Sequence, residues 1–272
     1  MKSYKNFIIP YLVWAAVIII IPIFMILIYA FTKEGNSVLT ISFTMDNFKN
    51  LMGTSYVSVF LSSFKMGIIT VLICLVLGYA LSYIIAQFSE RVQGILILFV
   101  TIPMWINMLL RTYAWISILS KNGLLNALLG FLGFSRANLM YTDFSVILGL
   151  VCNFLPFMII PIHTSLSKMD KSLIEASYDL GANKIQTFRR VVFKLSLPGV
   201  ISGVTMVFLL AISSFVIPKL LGGGNYMMVG NLIENQFISI GDWNFGSAIS
   251  LVLAVLIVIA VKITEKFDKT DE

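Results

Sequence analysis

Residues 172–198 read SLIEASYDLGANKIQTFRRVVFKLSLP, a charged island in a chain that is otherwise greasy. Six of the nineteen Lys and Arg flank it or lie in it: Lys168, Lys171, Lys184, Arg189, Arg190 and Lys194. Long uncharged runs stand on both sides. A membrane protein that gathers its cations in one interhelical loop marks its cytoplasmic face there. Counting the spans around this island gives the fold, and what docks on it gives the function.

The 272 residues are 58% hydrophobic and 12% charged. Soluble domains average about 25% charged residues, so much of this surface must face lipid. Six uncharged windows stand out: 6–32, 66–89, 92–110, 144–167, 195–218 and 243–261. Each is long enough, or nearly so, for the roughly 20 apolar residues that cross a bilayer. Lipid offers no partner for open backbone groups, so these spans are expected to be helices. The expectation is an all-α membrane protein with six transmembrane helices. The third window is expected to run on past Arg111, whose long side chain snorkels. The first window holds 27 residues, too many for a signal-peptide core of roughly 7–15, and no small-residue cleavage pattern follows. It reads as a retained helix.

The net charge is +6. Positive-inside placement accounts for it without any nucleic-acid partner. With the N-terminus inside, the cytoplasmic segments hold twelve cations and the outer segments seven. The chain is thus expected to be a multi-pass protein of the cell (inner, cytoplasmic) membrane with both termini cytoplasmic. Cys74 and Cys152 fall within spans and read as small buried residues rather than a disulfide.

Three segments are expected. Residues 1–61 hold the first helix and a polar external stretch. Residues 62–262 hold five helices and the charged loop, 168–195. Residues 263–272 form a cytoplasmic tail, its acidic end disordered. A tight inner turn at Glu90 and Arg91 joins spans two and three. The outer segment 121–143 contains GLLNALLGFLGF, residues 123–134, too short to span and read as a helix at the outer interface. A Gly-rich outer loop at 222–224 separates spans five and six.

Within the island, Ser172 and Glu175 fit a capping box. Leu173, Ser177 and Leu180 follow at helical spacing with Ala176 beside them, one face of a short helix. Gly181 fits its C-terminal cap. A second helix starts near Asn183 with an apolar stripe of Ile185, Phe188, Val192 and Leu195. Basic amphipathic loops also lie on membrane surfaces, so these residues leave a lipid surface and a protein dock both open.

Glu175-Ala176-Ser177, Gly181-Ala182, Phe188-Arg189-Arg190 and Pro198-Gly199 resemble the EAA loop of type-1 ABC importer permeases, and the resemblance covers about residues 62–262. It implies the MetI-like fold of those proteins. It also implies that the loop is a coupling helix seated in a cleft of a cytoplasmic ATPase, with Glu175, Ala176, Gly181, Arg189 and Arg190 as coupling residues. The implied partners are an ABC ATPase dimer, a second permease subunit completing a heterodimer, and an extracellular or periplasmic substrate-binding protein. The chain departs from the pattern at Ser177, where a second Ala is usual, and at Lys194, where the motif's Pro is usual; Pro198 comes four residues later.

A finer resemblance lies outside the loop. Asn107-Met-Leu-Leu-Arg111-Thr-Tyr113-Ala-Trp115-Ile116 and Gly123-Leu-Leu-Asn126 are similar to the B-type permeases of spermidine/putrescine importers. So are Ser214-Phe-Val-Ile-Pro218-Lys-Leu-Leu-Gly222-Gly-Gly, Gly230-Asn-Leu-Ile233 and Gln236-Phe237. Permeases for other small cationic or organic solutes share parts of these runs. The implied substrate is a polyamine.

A polyamine route calls for carboxylates and aromatic faces. The outer acidic residues are Glu34, Asp46, Asp143, Glu234 and Asp242. Glu234, in the loop before span six with Tyr226 upstream, is the first candidate, and Asp242 the second; a solvated loop charge fits each as well. Tyr113 and Trp115 are aromatic candidates, and also suit an interfacial belt beside Arg111. Pro156, followed by Pro161, is a candidate gate because proline loosens a helix, though membrane helices tolerate proline. His163 suits a hydrogen-bonded interfacial residue, and no metal site is expected.

No G-x-x-x-x-G-K-[ST] motif occurs, so the chain is expected to bind no cofactor itself, with ATP held by the partner ATPase. An ion-coupled carrier or channel is the rival class. Such proteins place ionisable residues in their spans, and no Asp or Glu falls in the six windows. A membrane enzyme is a third reading, with a single His and no paired carboxylates within the spans to serve it.

Overall fold

The computed structural model describes residues 3–33, 42–224 and 226–268. Glu34, Lys2, Lys269 and the tail after Asp268 lie outside the described residues. In chain order the helices are α1 (Ser3–Ala30), α2 (Asp46–Leu51), α3 (Thr54–Ala86), α4 (Glu90–Trp105), α5 (Met108–Leu119), α6 (Leu124–Phe131) and α7 (Asp143–Ser167). Then come α8 (Lys171–Asp179), α9 (Lys184–Thr187), α10 (Phe193–Ser213), α11 (Val216–Leu221), α12 (Val229–Glu234) and α13 (Trp243–Asp268). Two π-helical segments, Phe188–Val192 and Asn235–Ile240, lie between them. Among the described residues, five helices are long and apolar enough to cross a membrane, or six where the bent pair Glu90–Trp105 with Met108–Phe131 counts as one broken span.

That bent pair corrects the third window. α4 stops at Trp105 instead of running past Arg111. Ile106 is extended, with ψ 134°, and the Asn107 side chain accepts the Leu109 backbone N–H at 2.8 Å. An Asn cap restarts the helix in a new direction, and the two stretches meet at 91°. The fifth window is corrected likewise. α10 ends at Ser213, Ser214 is extended with ψ 132°, and Pro218 belongs to α11.

The chain divides into two compact units. One comprises residues 1–60 and 229–258. In it, α1 is apolar on all sides from Pro10 onward and mostly exposed until its end, where Ala30 is buried, the pattern of a helix whose surroundings are lipid or another chain. The last carbonyls of a helix have no partner within it. Here Asn47 donates to the Ala30 and Thr32 carbonyls, both at 3.0 Å. Asn244 donates to the Tyr29 and Thr32 carbonyls at 3.1 and 2.9 Å. Two amide side chains thus close the end of α1, beside an isolated antiparallel bridge between Thr32 and Phe43.

The other unit comprises residues 61–228 and 259–272. Its core centres on α7, where Val146, Leu150, Met158 and Ile162 are fully buried. Met158 lies between two glycines, Gly78 of α3 and Gly203 of α10. A Cβ on either would come within 2.8 Å of the Met158 side chain, so glycine lets the three helices close on one methionine. The Ser82 hydroxyl donates to the Ile159 carbonyl at 3.0 Å and pins α3 to α7 in the same layer. Cys74 is buried and Cys152 half-buried, both as free thiols.

Candidate functional site

The island folds as a helix, a glycine turn and a second helix. Its start differs from the sequence reading. The cap is Asp170, whose carboxylate accepts the Ser172 backbone N–H at 2.9 Å. Ser172 is therefore inside the helix, and no capping box joins it to Glu175. Accepting that N–H also holds the exposed Asp170 carboxyl below its ordinary pKa. The capping box of this region is one helix later, where Asn183 and Gln186 bond each other's backbone N–H groups at 2.9 and 3.0 Å.

Gly181 ends α8 as expected. Its φ is +80°, in the left-handed region. Its N–H donates to the Tyr178 carbonyl at 2.8 Å, and the Ala182 N–H donates to the Ser177 carbonyl at 3.0 Å. This pairing is a Schellman cap. A Cβ on Gly181 would meet nothing within 4 Å, so the backbone angle alone selects glycine.

No residue of α8 is fully buried. Ile174 and Ser177 turn inward, while Leu173, Tyr178 and Leu180 are exposed, Leu180 by 89%. Ile185, assigned to the second helix's apolar stripe, is 77% exposed. A π-helical turn follows at Phe188–Val192, where the Phe193 N–H reaches back five residues to the Phe188 carbonyl. The extra residue in that turn moves Ile185 out of line with Val192, which is buried. Glu175, Ala176 and Gly181 thus share an exposed knuckle with Leu180 and Ile185, and Arg189 and Arg190 are exposed on the segment that follows.

The knuckle is tied to the spans. Phe188 packs edge-on against Tyr79 and Tyr83 of α3, with ring centroids 5.8 and 5.3 Å apart. The Tyr79 hydroxyl lies 2.9 Å from Ser196 Oγ of α10. Behind α8 is a cavity of about 570 Å³ whose lining includes Tyr83, Glu90, Gln93, Lys171 and Ile174. Gln93 donates to the Ala86 and Phe88 carbonyls, and its Oε1 lies 3.1 Å from His163 Nε2. The turn between α3 and α4 is thereby joined to the end of α7.

The pathway candidates fall in both units. In the first, Glu234 ends α12 and is half-buried. Asp242 accepts the Phe245 N–H at 2.8 Å and caps α13. Next to it, Trp243 and Phe237 meet edge-on at 5.4 Å. Both line a cavity of about 790 Å³ with Tyr29, Asn244 and Ser247. In the second unit, Tyr113 is exposed and Trp115 packs against the core. Pro156 is buried within α7, which continues through it unbroken. The helix breaks occur instead at Ile106–Asn107 and Ser214–Phe215. Arg111 does not hold its whole head in water, because Nε and Nη1 are buried without a hydrogen-bond acceptor. A hydrogen bond to the Asp143 carboxylate raises the Tyr226 pKa. Asp46 is occupied by the Thr44 hydroxyl at 2.7 Å and lies within 3.8 Å of Lys33 and Lys49.

Comparison with known proteins places this architecture. A family described as "Binding-protein-dependent transport system inner membrane component" matches residues 78–269. The spermidine/putrescine transport system permease protein PotB of Escherichia coli (strain K12) is 39% identical over 246 residues, covering 89% of this chain and 90% of that protein. Its counterpart in Salmonella typhimurium (strain LT2) is 38% identical over 259 residues, covering 94% and 90%. That of Haemophilus influenzae is 35% identical, covering 94% and 91%. Among solved structures, a chain of a bacterial alginate ABC transporter, in complex with a periplasmic protein bound to an alginate pentasaccharide, superposes with a TM-score of 0.82. The identity there is 14%, over 98% of this chain and 94% of that one, which is a likeness of fold. The chain belongs to the binding-protein-dependent transport system inner membrane components, the permease subunits of ABC importers.

Proposed function

We propose that this chain is one of two permease subunits of an ATP-driven polyamine importer, and that α8 with the Gly181 turn is its contact with the motor. The substrate reading rests on one observation, the 35–39% identity to spermidine/putrescine permeases over about nine-tenths of the chain. The coupling reading draws support from the knuckle. Leu180 and Ile185 are apolar and exposed, as Glu175 is, in the loop richest in cations. Large apolar side chains grouped on a charged surface mark a contact with another protein.

In this account the loop and both termini are cytoplasmic, and an ATPase dimer receives the knuckle. ATP is bound and split in that partner, and this chain catalyses nothing. A second permease completes the pathway, and an external binding protein delivers the substrate. Movement of the knuckle reaches the spans through Phe188 and the tyrosines of α3. Glu234 and Asp242, with Tyr113, Trp115 and the Pro156 region, are the pathway candidates. The test is Glu175→Lys in the reconstituted complex. Loss of substrate-stimulated ATP hydrolysis with normal membrane insertion is expected. Undiminished stimulation would remove Glu175 from the contact.

A further inference from the structure

The helix α6 is inside-out. Its polar residue Asn126 is 2% exposed, and its side chain is fully engaged. Asn126 Nδ2 donates to the Ser120 and Ala137 carbonyls, and Oδ1 accepts the Ala137 N–H at 2.8 Å. Leu125 packs on the core from the same side. Leu124, Leu128, Phe131 and Leu132 follow at i, i+4, i+7 and i+8, one face of the helix. All four are exposed, Phe131 by 89%, and Phe134 beyond the helix joins them. Water does not favour a helix that hides its amide and displays its leucines.

The surroundings identify what covers this face. With α4 along the bilayer normal, the 91° bend lays Met108–Phe131 along the membrane plane. Between Tyr113 and Tyr141 the only charges are Lys121 and Arg136, both cations and both exposed. Arg136 Nη1 donates to Asn122 Oδ1 at 3.3 Å, which sets Arg136 beside the turn that carries Lys121. An apolar face edged by two cations matches acyl chains beneath anionic headgroups. We propose that α6 is a membrane foot that binds anionic phospholipid, its leucines and Phe131 among the acyl chains and Lys121 and Arg136 on the phosphates.

The test places Phe131→Trp in the full importer in lipid nanodiscs and subtracts the fluorescence of the native tryptophans. Quenching of the added indole by phospholipids brominated on the acyl chain is the expected result. Quenching by aqueous acrylamide alone would show a water-facing surface. Protection from both would show a protein partner on the face. Either result overturns the proposal. Brominated phosphatidylglycerol should outcompete brominated phosphatidylcholine at equal mole fraction. That preference should fall about fivefold for each cation removed, in Lys121→Gln and Arg136→Gln. Equal quenching by the two lipids with both cations present would overturn the anionic selectivity.

Discussion

Ser177 Oγ and Thr187 Oγ1 stand 2.8 Å apart across the Gly181 turn. Ser177 gives its one proton to the Ile174 carbonyl, also at 2.8 Å, so Thr187 donates to Ser177. The bond clamps α8 to α9 and accounts for the serine where the related loop pattern has alanine. Thr187 is 2% exposed. A buried hydroxyl left without its partner costs about 1–3 kcal/mol. Ser177→Ala should therefore destabilise the loop by roughly that amount, and Ser177→Ala with Thr187→Val should recover part of the loss. Thermal unfolding of the two single variants and the double variant measures the coupling; strictly additive effects would show that the clamp carries no energy.

Gly181→Ala should lower stability by about 1–2 kcal/mol, because alanine is forced into the left-handed region. Gly181→Asn should cost less, since asparagine tolerates that region. The open space around the site removes any steric contribution. The thermal midpoints should rank Gly, Asn, Ala.

Asp170 makes the loop acid-sensitive. Its folded-state pKa lies below the ordinary value because the carboxylate accepts the Ser172 N–H. The stabilisation is complete above the unfolded aspartate pKa and is lost as pH falls through the depressed folded value. Protection of the Ser172 amide against hydrogen exchange, corrected for intrinsic rate, should drop across that acid window. Asp170→Asn retains a capping oxygen and should flatten the dependence.

Arg111 places two guanidinium nitrogens, Nε and Nη1, in the interior without an acceptor in the subunit. An unpaired buried cation is costly. Arg111→Met should raise the thermal midpoint of the isolated subunit, and a lowered midpoint would mean that the guanidinium is satisfied there.

The spans were legible because lipid excludes charge, and the six uncharged windows carry that rule on their face. The breaks inside them were not. Asn107 and Ser214 interrupt apolar runs with a change of ψ, which leaves hydropathy untouched. The glycine turn was legible because only backbone freedom explains Gly181 between two periodic segments. The orientation of α8 was not, because helical spacing groups Leu173, Ser177 and Leu180 on one face without saying what that face meets. Leu173, Leu180 and Ile185 face outward, and no residue type announces the π turn that follows at Phe188–Val192. Asp170 and Thr187 were not legible either: the cap lies two residues before Ser172, and the Thr187 hydroxyl finds its partner ten residues away.

The most direct measurement is uptake of labelled spermidine or putrescine into vesicles holding this chain with its second permease, ATPase and binding protein. Accumulation that requires ATP, and that disappears with Glu175→Lys, is the predicted result. Accumulation driven by a proton gradient without the ATPase, or ATP-driven uptake that ignores polyamines, would contradict the account.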